Sequence, residues 1–196
     1  MQAASGDDYI YGSEFGASLW ARCMGGNDRV SIYSGMNNFV NGNMGNDKIK
    51  LYASTRGAYG QDGNILGGRD HDTIDIYGGE WGLGQGMIIN GNQGDDVLVN
   101  WTSATCHQLH GGAGNDRITN YGNSNVWGDL GADVFIPAVT GLMVVQDFVV
   151  GEDTVLPDHR GIGYTINYSD VNNDGVTDTC FESPLSRFCV LLGVTL

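Results

Sequence analysis

Residues 111–119 read GGAGNDRIT, with Asp116 two places after Gly114 and five after Gly111, and Ile118 two places further on. The template recurs with aspartates at Asp8, Asp28, Asp47, Asp72, Asp96, Asp116 and Asp133. Two places after each stands an apolar residue: Ile10, Val30, Ile49, Ile74, Leu98, Ile118 and Phe135. Seven places before stand Met1, Ala21, Val40, Ile65, Ile89, Leu109 and Val126. Two places before stand Gly6, Gly26, Gly45, Asp70, Gly94, Gly114 and Gly131; five before stand Ala3, Cys23, Gly42, Gly67, Gly91, Gly111 and Gly128. Columns held in register over seven copies are an internal repeat, the mark of a solenoid.

The two apolar columns lie nine residues apart, half of an 18-residue coil. A short strand carries one inward apolar residue, a glycine-rich loop turns the chain, and a second strand carries the next. One coil cannot bury these residues alone, so coils must stack. Stacking also piles one carboxylate above another at the strand spacing of about 4.8 Å. Like charges at that distance cost several kcal/mol near a protein surface. A divalent cation between successive loops removes the cost. Carboxylate and carbonyl oxygens are hard ligands in flexible geometry, which favours Ca²⁺ over Mg²⁺. The candidate ligands are the seven aspartates together with the loop glycines Gly26, Gly42, Gly45, Gly67, Gly91, Gly94, Gly111, Gly114, Gly128 and Gly131.

GGAGNDRIT resembles the G-G-x-G-x-D-x-U-x nonapeptide of the repeats-in-toxin (RTX) calcium-binding β-roll. NGNQGDDVLV, NGNMGNDKIK and GGRDHDTID look like degenerate copies. The resemblance covers residues 5–136 and implies a right-handed parallel β-roll that folds on binding calcium, usually outside the cell. The chain departs from the family in carrying the motif about once per coil. Successive aspartates lie 20, 19, 25, 24, 20 and 17 residues apart, so the opposite half-coil varies in length. One calcium ladder is expected, with the other edge poor in metal or empty. The expected architecture is an all-β right-handed parallel solenoid of about seven coils (residues 1–136), closed by a C-terminal β cap (137–196).

Acids outnumber bases by 23 to 9, and the net charge of −14 argues against a nucleic-acid surface. The acidic residues recur periodically, which fits metal binding better than a merely soluble surface. Six cations between loops would add about +12 and nearly cancel the charge. No stretch of 18 apolar residues is present, so no membrane span is expected, and MQAASGDD has neither a basic n-region nor an h-region. Export would then use a C-terminal signal, a cleaved precursor segment or cell lysis; the family resemblance implies an uncleaved C-terminal secretion signal.

The repeat opens at residue 1 without a polar capping unit. Either this is a piece of a larger protein, or the open edge docks on another subunit or a copy of itself. Five residues after five of the aspartates run Tyr33, Tyr52, Tyr77, Trp101 and Tyr121. Stacked coils make these a ladder of rings, serving either as packing or as an exposed strip for carbohydrate. Insertions at 53–63 and 78–86 fall on the variable side, and Arg56, Tyr59, Glu80 and Trp81 would line a ligand face there if one exists.

Past residue 134 glycine thins and apolar runs appear. VQDFVVGEDTV and the closing LLGVTL resemble the segments that end secreted RTX proteins. Asp170, Asn172, Asp174 and Asp178 partly imitate an EF-hand loop, but Phe181 stands where the closing Glu belongs, so a β-hairpin turn is favoured over an extra calcium site. Cys180 and Cys189 could bridge across a hairpin; Cys23 and Cys106 are expected free. His107 and His110 flank the core Leu109 and are expected to point outward. Asp7, Asp70, Asp95 and Asp129 could add second carboxylates to the ladder.

No nucleophile elbow or zincin motif is present. The expected function is therefore a non-enzymatic, calcium-binding structural or adhesive component at the outside of a cell or virion, able to self-assemble. The alternatives are the calcium and secretion module of a secreted protease, lipase or epimerase, and a carbohydrate-binding solenoid.

Overall fold

The computed structural model describes residues 5–12, 19–33, 38–52, 63–77, 87–102, 105–158 and 160–196. These residues form strands and turns, with no helix among them. Each coil gives one strand to each of two sheets. The first sheet runs β1 (Tyr9–Gly12), β3 (Arg29–Tyr33), β5 (Lys48–Tyr52), β7 (Thr73–Tyr77), β9 (Val97–Asn100), β11 (Arg117–Asn120), β13 (Val134–Pro137) and β15 (Thr154–Val155). The second begins with β2 (Trp20–Arg22), β4 (Phe39–Met44), β6 (Asn64–Arg69), β8 (Ile88–Gln93), β10 (Thr105–Ala113), β12 (Asn123–Leu130) and β14 (Met143–Val145). It continues through β18 (Arg187–Leu191), β17 (Asp178–Glu182) and β16 (Thr165–Ser169). The result is a parallel β-solenoid in which β2–β3 through β12–β13 make six complete turns.

The sequence columns are the strand register. Ile10, Val30, Ile49, Ile74, Leu98, Ile118 and Phe135 pair in succession, ending on Val155. Ala21, Val40, Ile65, Ile89, Leu109 and Val126 do the same in the other sheet. All of these repeat residues are buried in one continuous core, with Val155 partly buried against its end. Each fully buried branched side chain contributes about 1.5–3 kcal/mol before the entropy of ordering it.

Two further inward columns lie where strand alternation puts them. Four places after the aspartates stand Ile32, Leu51 and Ile76, and then Asn100 and Asn120, all buried. Asn100 Nδ2 donates to Asn120 Oδ1 at 2.7 Å, and Thr102 Oγ1 donates to Asn100 Oδ1 at 2.8 Å, so these buried amides are satisfied. Nine places before the aspartates stand Asn38, Met87, His107 and Ser124. The expectation that His107 faces solvent is corrected. It shares the parity of Leu109, is fully buried, and its ring nitrogens have no hydrogen-bond partner, so burial pulls its pKa down to about 4. His110 does face outward, against Asp129 and stacked on Trp127.

The parallel register runs past the expected boundary at 136, because β14 and β15 pair as further rungs. At this end of the second sheet β18 joins β14 in parallel, then β17 and β16 add antiparallel. The turn between β16 and β17 is the expected hairpin. Asp170 Oδ1 and Oδ2 accept the N–H groups of Asp174 and Gly175, and Asp178, fully buried, accepts those of Val171 and Gly193. Asp170 thus closes its own turn, and Asp178 ties that turn to the segment after β18. The candidate Cys180–Cys189 disulfide is not formed: both thiols are free. Cys180 pairs with Val190 and Phe181 with Cys189, so the pleat sends the two side chains to opposite faces. Cys23 is also free; Cys106 and the insertion residues Arg56, Tyr59, Glu80 and Trp81 lie outside the described side chains.

Candidate metal centre

Five successive aspartate turns hold only three residues between strands: Gly45–Asp47, Asp70–Asp72, Gly94–Asp96, Gly114–Asp116 and Gly131–Asp133. Their first residue has positive φ throughout, from 76° at Asp70 to 143° at Gly114. A Cβ at Gly26, Gly45, Gly94, Gly114 or Gly131 would strike the backbone of the preceding turn, so these glycines set how closely the turns stack. Four places before the aspartates, Asn43, Gly68, Asn92, Gly112 and Asp129 also have positive φ. Asn, Gly and Asp are the residues that tolerate this region.

Each aspartate then reaches back one coil. Asp28 Oδ1 accepts the Asp8 N–H at 2.7 Å, Asp47 that of Asp28 at 2.7 Å, and Asp72 that of Asp47 at 2.8 Å. The ladder continues through Asp96, Asp116 and Asp133 and ends on Asp153, whose Oδ1 accepts the Asp133 N–H at 2.9 Å. Asp153 is an eighth member absent from the sequence-based set, although Gly151 and Val155 stand at the template positions around it. A second ladder runs one residue earlier. Side chains of Asp7, Asn27, Asn46, His71, Asp95 and Asn115 each accept the corresponding N–H of the next turn.

The other carboxylate oxygen is different. Oδ2 of Asp8, Asp28, Asp47, Asp72, Asp96 and Asp116 is buried without a hydrogen-bond partner. Its surroundings are visible at the glycines five places earlier. A Cβ at Gly42, Gly67, Gly91 or Gly111 would meet two oxygens: the Oδ2 of its own coil's aspartate and the carbonyl of the equivalent glycine in the next coil, at Gly111 the Gly128 carbonyl at 2.8 Å. Only glycine leaves that space open. A Cβ at Gly128 would also meet Asp133 Oδ2, but with the Phe135 ring as the other neighbour in place of a carbonyl. Acceptors facing a shared gap call for a proton or a cation between them.

Burial is the main cause that raises these carboxyls, to about 7 at Asp47, about 8 at Asp72, about 6 at Asp96, about 7 at Asp116 and about 6 at Asp133. The received backbone N–H pulls each one back, and neighbouring carboxylates add to the rise. Cys23, which takes the glycine position beside Asp28, is pushed to about 12 by burial and by the nearby aspartates.

The donor set fits a cation bound by one carboxylate oxygen and main-chain carbonyls. It does not fit a carboxylate cage, since no three His, Cys, Asp or Glu among the described residues converge. Asp7 and Asp95 spend an oxygen on a backbone N–H, Asp70 Oδ2 accepts from Gly45 N–H at 3.1 Å, and Asp129 pairs with His110, so none of them adds to the ladder's inner oxygens. Asp170, Asn172, Asp174 and Asp178 are likewise apart from it, in the cap hairpin.

At the opposite edge the aromatic column is a ring stack. Tyr33, Tyr52, Tyr77, Trp101 and Tyr121 follow one another with centroids 4.5, 5.0, 6.3 and 4.8 Å apart and planes within 13° of parallel. Tyr11 adds a tilted ring 5.0 Å from Tyr33. Stacked rings turn their faces to one another and leave mainly edges to solvent. That geometry favours packing over a strip that binds sugars on ring faces. No protein-family model matches the chain, and no curated protein matches it. The likeness to RTX repeats therefore rests on the motif residues themselves.

Proposed function

We propose that this chain is a calcium-stabilised β-solenoid serving as a non-enzymatic structural or adhesive component outside a cell or on a virion. The observation that carries this reading is the row of six buried aspartate oxygens without partners. A buried ionised carboxylate left alone costs several kcal/mol. Ca²⁺ supplies positive charge and accepts both carboxylate and carbonyl oxygen at flexible geometry. The residues that would hold it are Asp47, Asp72, Asp96 and Asp116 through Oδ2, with the carbonyls of Gly67, Gly91, Gly111 and Gly128; at Asp28 the Cys23 side chain takes the place that glycine leaves open in the other coils. With Oδ1 occupied by a backbone N–H and Oδ2 by a cation, these carboxylates keep no free oxygen for proton transfer, which favours a structural role. Self-association belongs to the same reading, because β1 and β2 each pair on one side only among the described residues.

The test is far-ultraviolet circular dichroism with light scattering at pH 8, after chelation and after adding calcium or magnesium. Chelation should abolish the β signal or lower Tm by about 10 °C or more. Calcium should restore it where equal magnesium does not, and scattering should rise with the refolded form. A melting curve indifferent to chelation would sink the calcium reading.

A further inference from the structure

We propose that the outer face of the first sheet, around Arg29, Lys48 and Lys50, docks an acidic polysaccharide lying across the coils. The surface goes beyond the calcium ladder and needs only folded strands. In a chain of net charge −14, this face gathers cations. Arg29 and Lys48 are exposed and directly in register on β3 and β5. Like charges directly opposite on neighbouring strands destabilise a sheet. Twenty-three acids were available to relieve the pair, yet neither cation forms an ion pair among the described residues. Arg29 donates to Tyr9 Oη at 2.7 Å, and Lys50 Nζ sits 5.7 Å from the Tyr77 ring centre.

The one carboxylate at an outward strand position of this sheet is Asp75, in register with Lys50. It is 9% exposed, and its Oδ1 accepts from Trp101 Nε1 at 3.4 Å, so it leaves the Arg29–Lys48 pair without compensation. Three cations on two adjacent coils make one cluster of positive charge, which suits a single anionic group carried on a longer chain.

Two observations select the polymer. The aromatic edge bordering the patch has its ring faces covered by one another, so it offers no platform for stacking nucleobases. Of the other outward positions next to the patch, Ser31 and Thr73 carry hydroxyls, partners for a hydroxylated chain, and the Tyr9 ring lies against the Arg29 guanidinium, 5.3 Å from its centre. The exposed carboxylates of the nearby turns, such as Asp7 and Asp70, would repel a dense polyanion more than one with sparse charge. A uronate-bearing polysaccharide meets these conditions.

The experiment uses the full chain in calcium buffer, with probes of hyaluronan, carboxymethyl dextran, neutral dextran and a single-stranded DNA oligomer, read by affinity electrophoresis. Retention by hyaluronan and carboxymethyl dextran is expected, with none by neutral dextran. It should disappear near 1 M salt, where screening shortens to about 3 Å. The triple variant Arg29→Gln, Lys48→Gln, Lys50→Gln should bind about tenfold or more weakly, whereas Arg69→Gln should not change binding. Melting curves with and without calcium are recorded for every variant. They separate loss of the docking face from loss of the ladder, and the single variant Lys50→Gln replaces the triple one if that fails to fold. Equal binding by wild type and variant, preference for the DNA oligomer, or no binding to either acidic polymer would overturn the proposal.

Discussion

The two edges of this solenoid solve the same stacking problem by different means. At the aspartate edge, five consecutive turns have three residues each and are joined by aspartate side chains that accept the preceding turn's N–H groups. At the other edge, connections run from two residues (121–122) to eleven (53–63), and rings stack at strand ends. A repeated hydrogen-bond ladder favours one turn geometry, and these five turns keep one length; the turn that ends on Asp153 is longer. Ring stacking fixes only the strand ends and lets the loop beyond them change. The difference also separates electrostatics from packing: buried carboxylates accumulate on one edge, and aromatic area on the other.

The largest expected effect that sharpens this contrast is on pH. The ladder carboxyls have folded pKa values of about 6 to 8 at Asp47, Asp72, Asp96, Asp116 and Asp133, above the ordinary value of 3.8. A raised folded pKa gives stability that is complete below the unfolded value and is lost as pH rises through the folded one. Chelated protein should therefore be most stable near pH 4, as far as these groups decide it, and should lose Tm progressively between about pH 4 and 8. Calcium should rescue it most strongly at the upper end. A chelated melting temperature that is flat across this window would remove the electrostatic character assigned to this edge.

Next in size is Gly91→Ala. Its Cβ would collide with Asp96 Oδ2 and lie 2.5 Å from the Gly111 carbonyl, so destabilisation of about 3 kcal/mol or more is expected in urea unfolding. The cost should persist in saturating calcium, since the added methyl takes the space between the oxygens. At the other edge, Tyr52→Ala removes two stacks, to Tyr33 and to Tyr77. About 1–3 kcal/mol is expected, with the calcium response unchanged. A calcium-dependent loss in Tyr52→Ala would break the separation of the two edges.

The aspartate, glycine and two apolar columns were legible because their spacing is local and repeats. The inward column led by Ile32, Leu51 and Ile76 was hidden, since Asn100 and Asn120 continue it with polar residues satisfied only by contacts between coils. His107 is misplaced when read as flanking Leu109, because it stands two residues away and strand parity puts it inside with Leu109. The second ladder was written in the row Asp7, Asn27, Asn46, His71, Asp95 and Asn115 but changes residue type at almost every step, so no motif marks it. Asp153 lay inside a stretch that read as cap, and the cysteine spacing said nothing of the one-residue stagger that parts Cys180 from Cys189.

The measurement that bears most directly on the ladder is anomalous diffraction from crystals grown in millimolar calcium. Cation peaks are expected beside Oδ2 of Asp47, Asp72, Asp96 and Asp116, each shared with a glycine carbonyl of the next coil. Well-ordered turns with no peak at any of the four, in crystals at pH 8, would contradict a metal-bound ladder and leave a proton as what joins these oxygens.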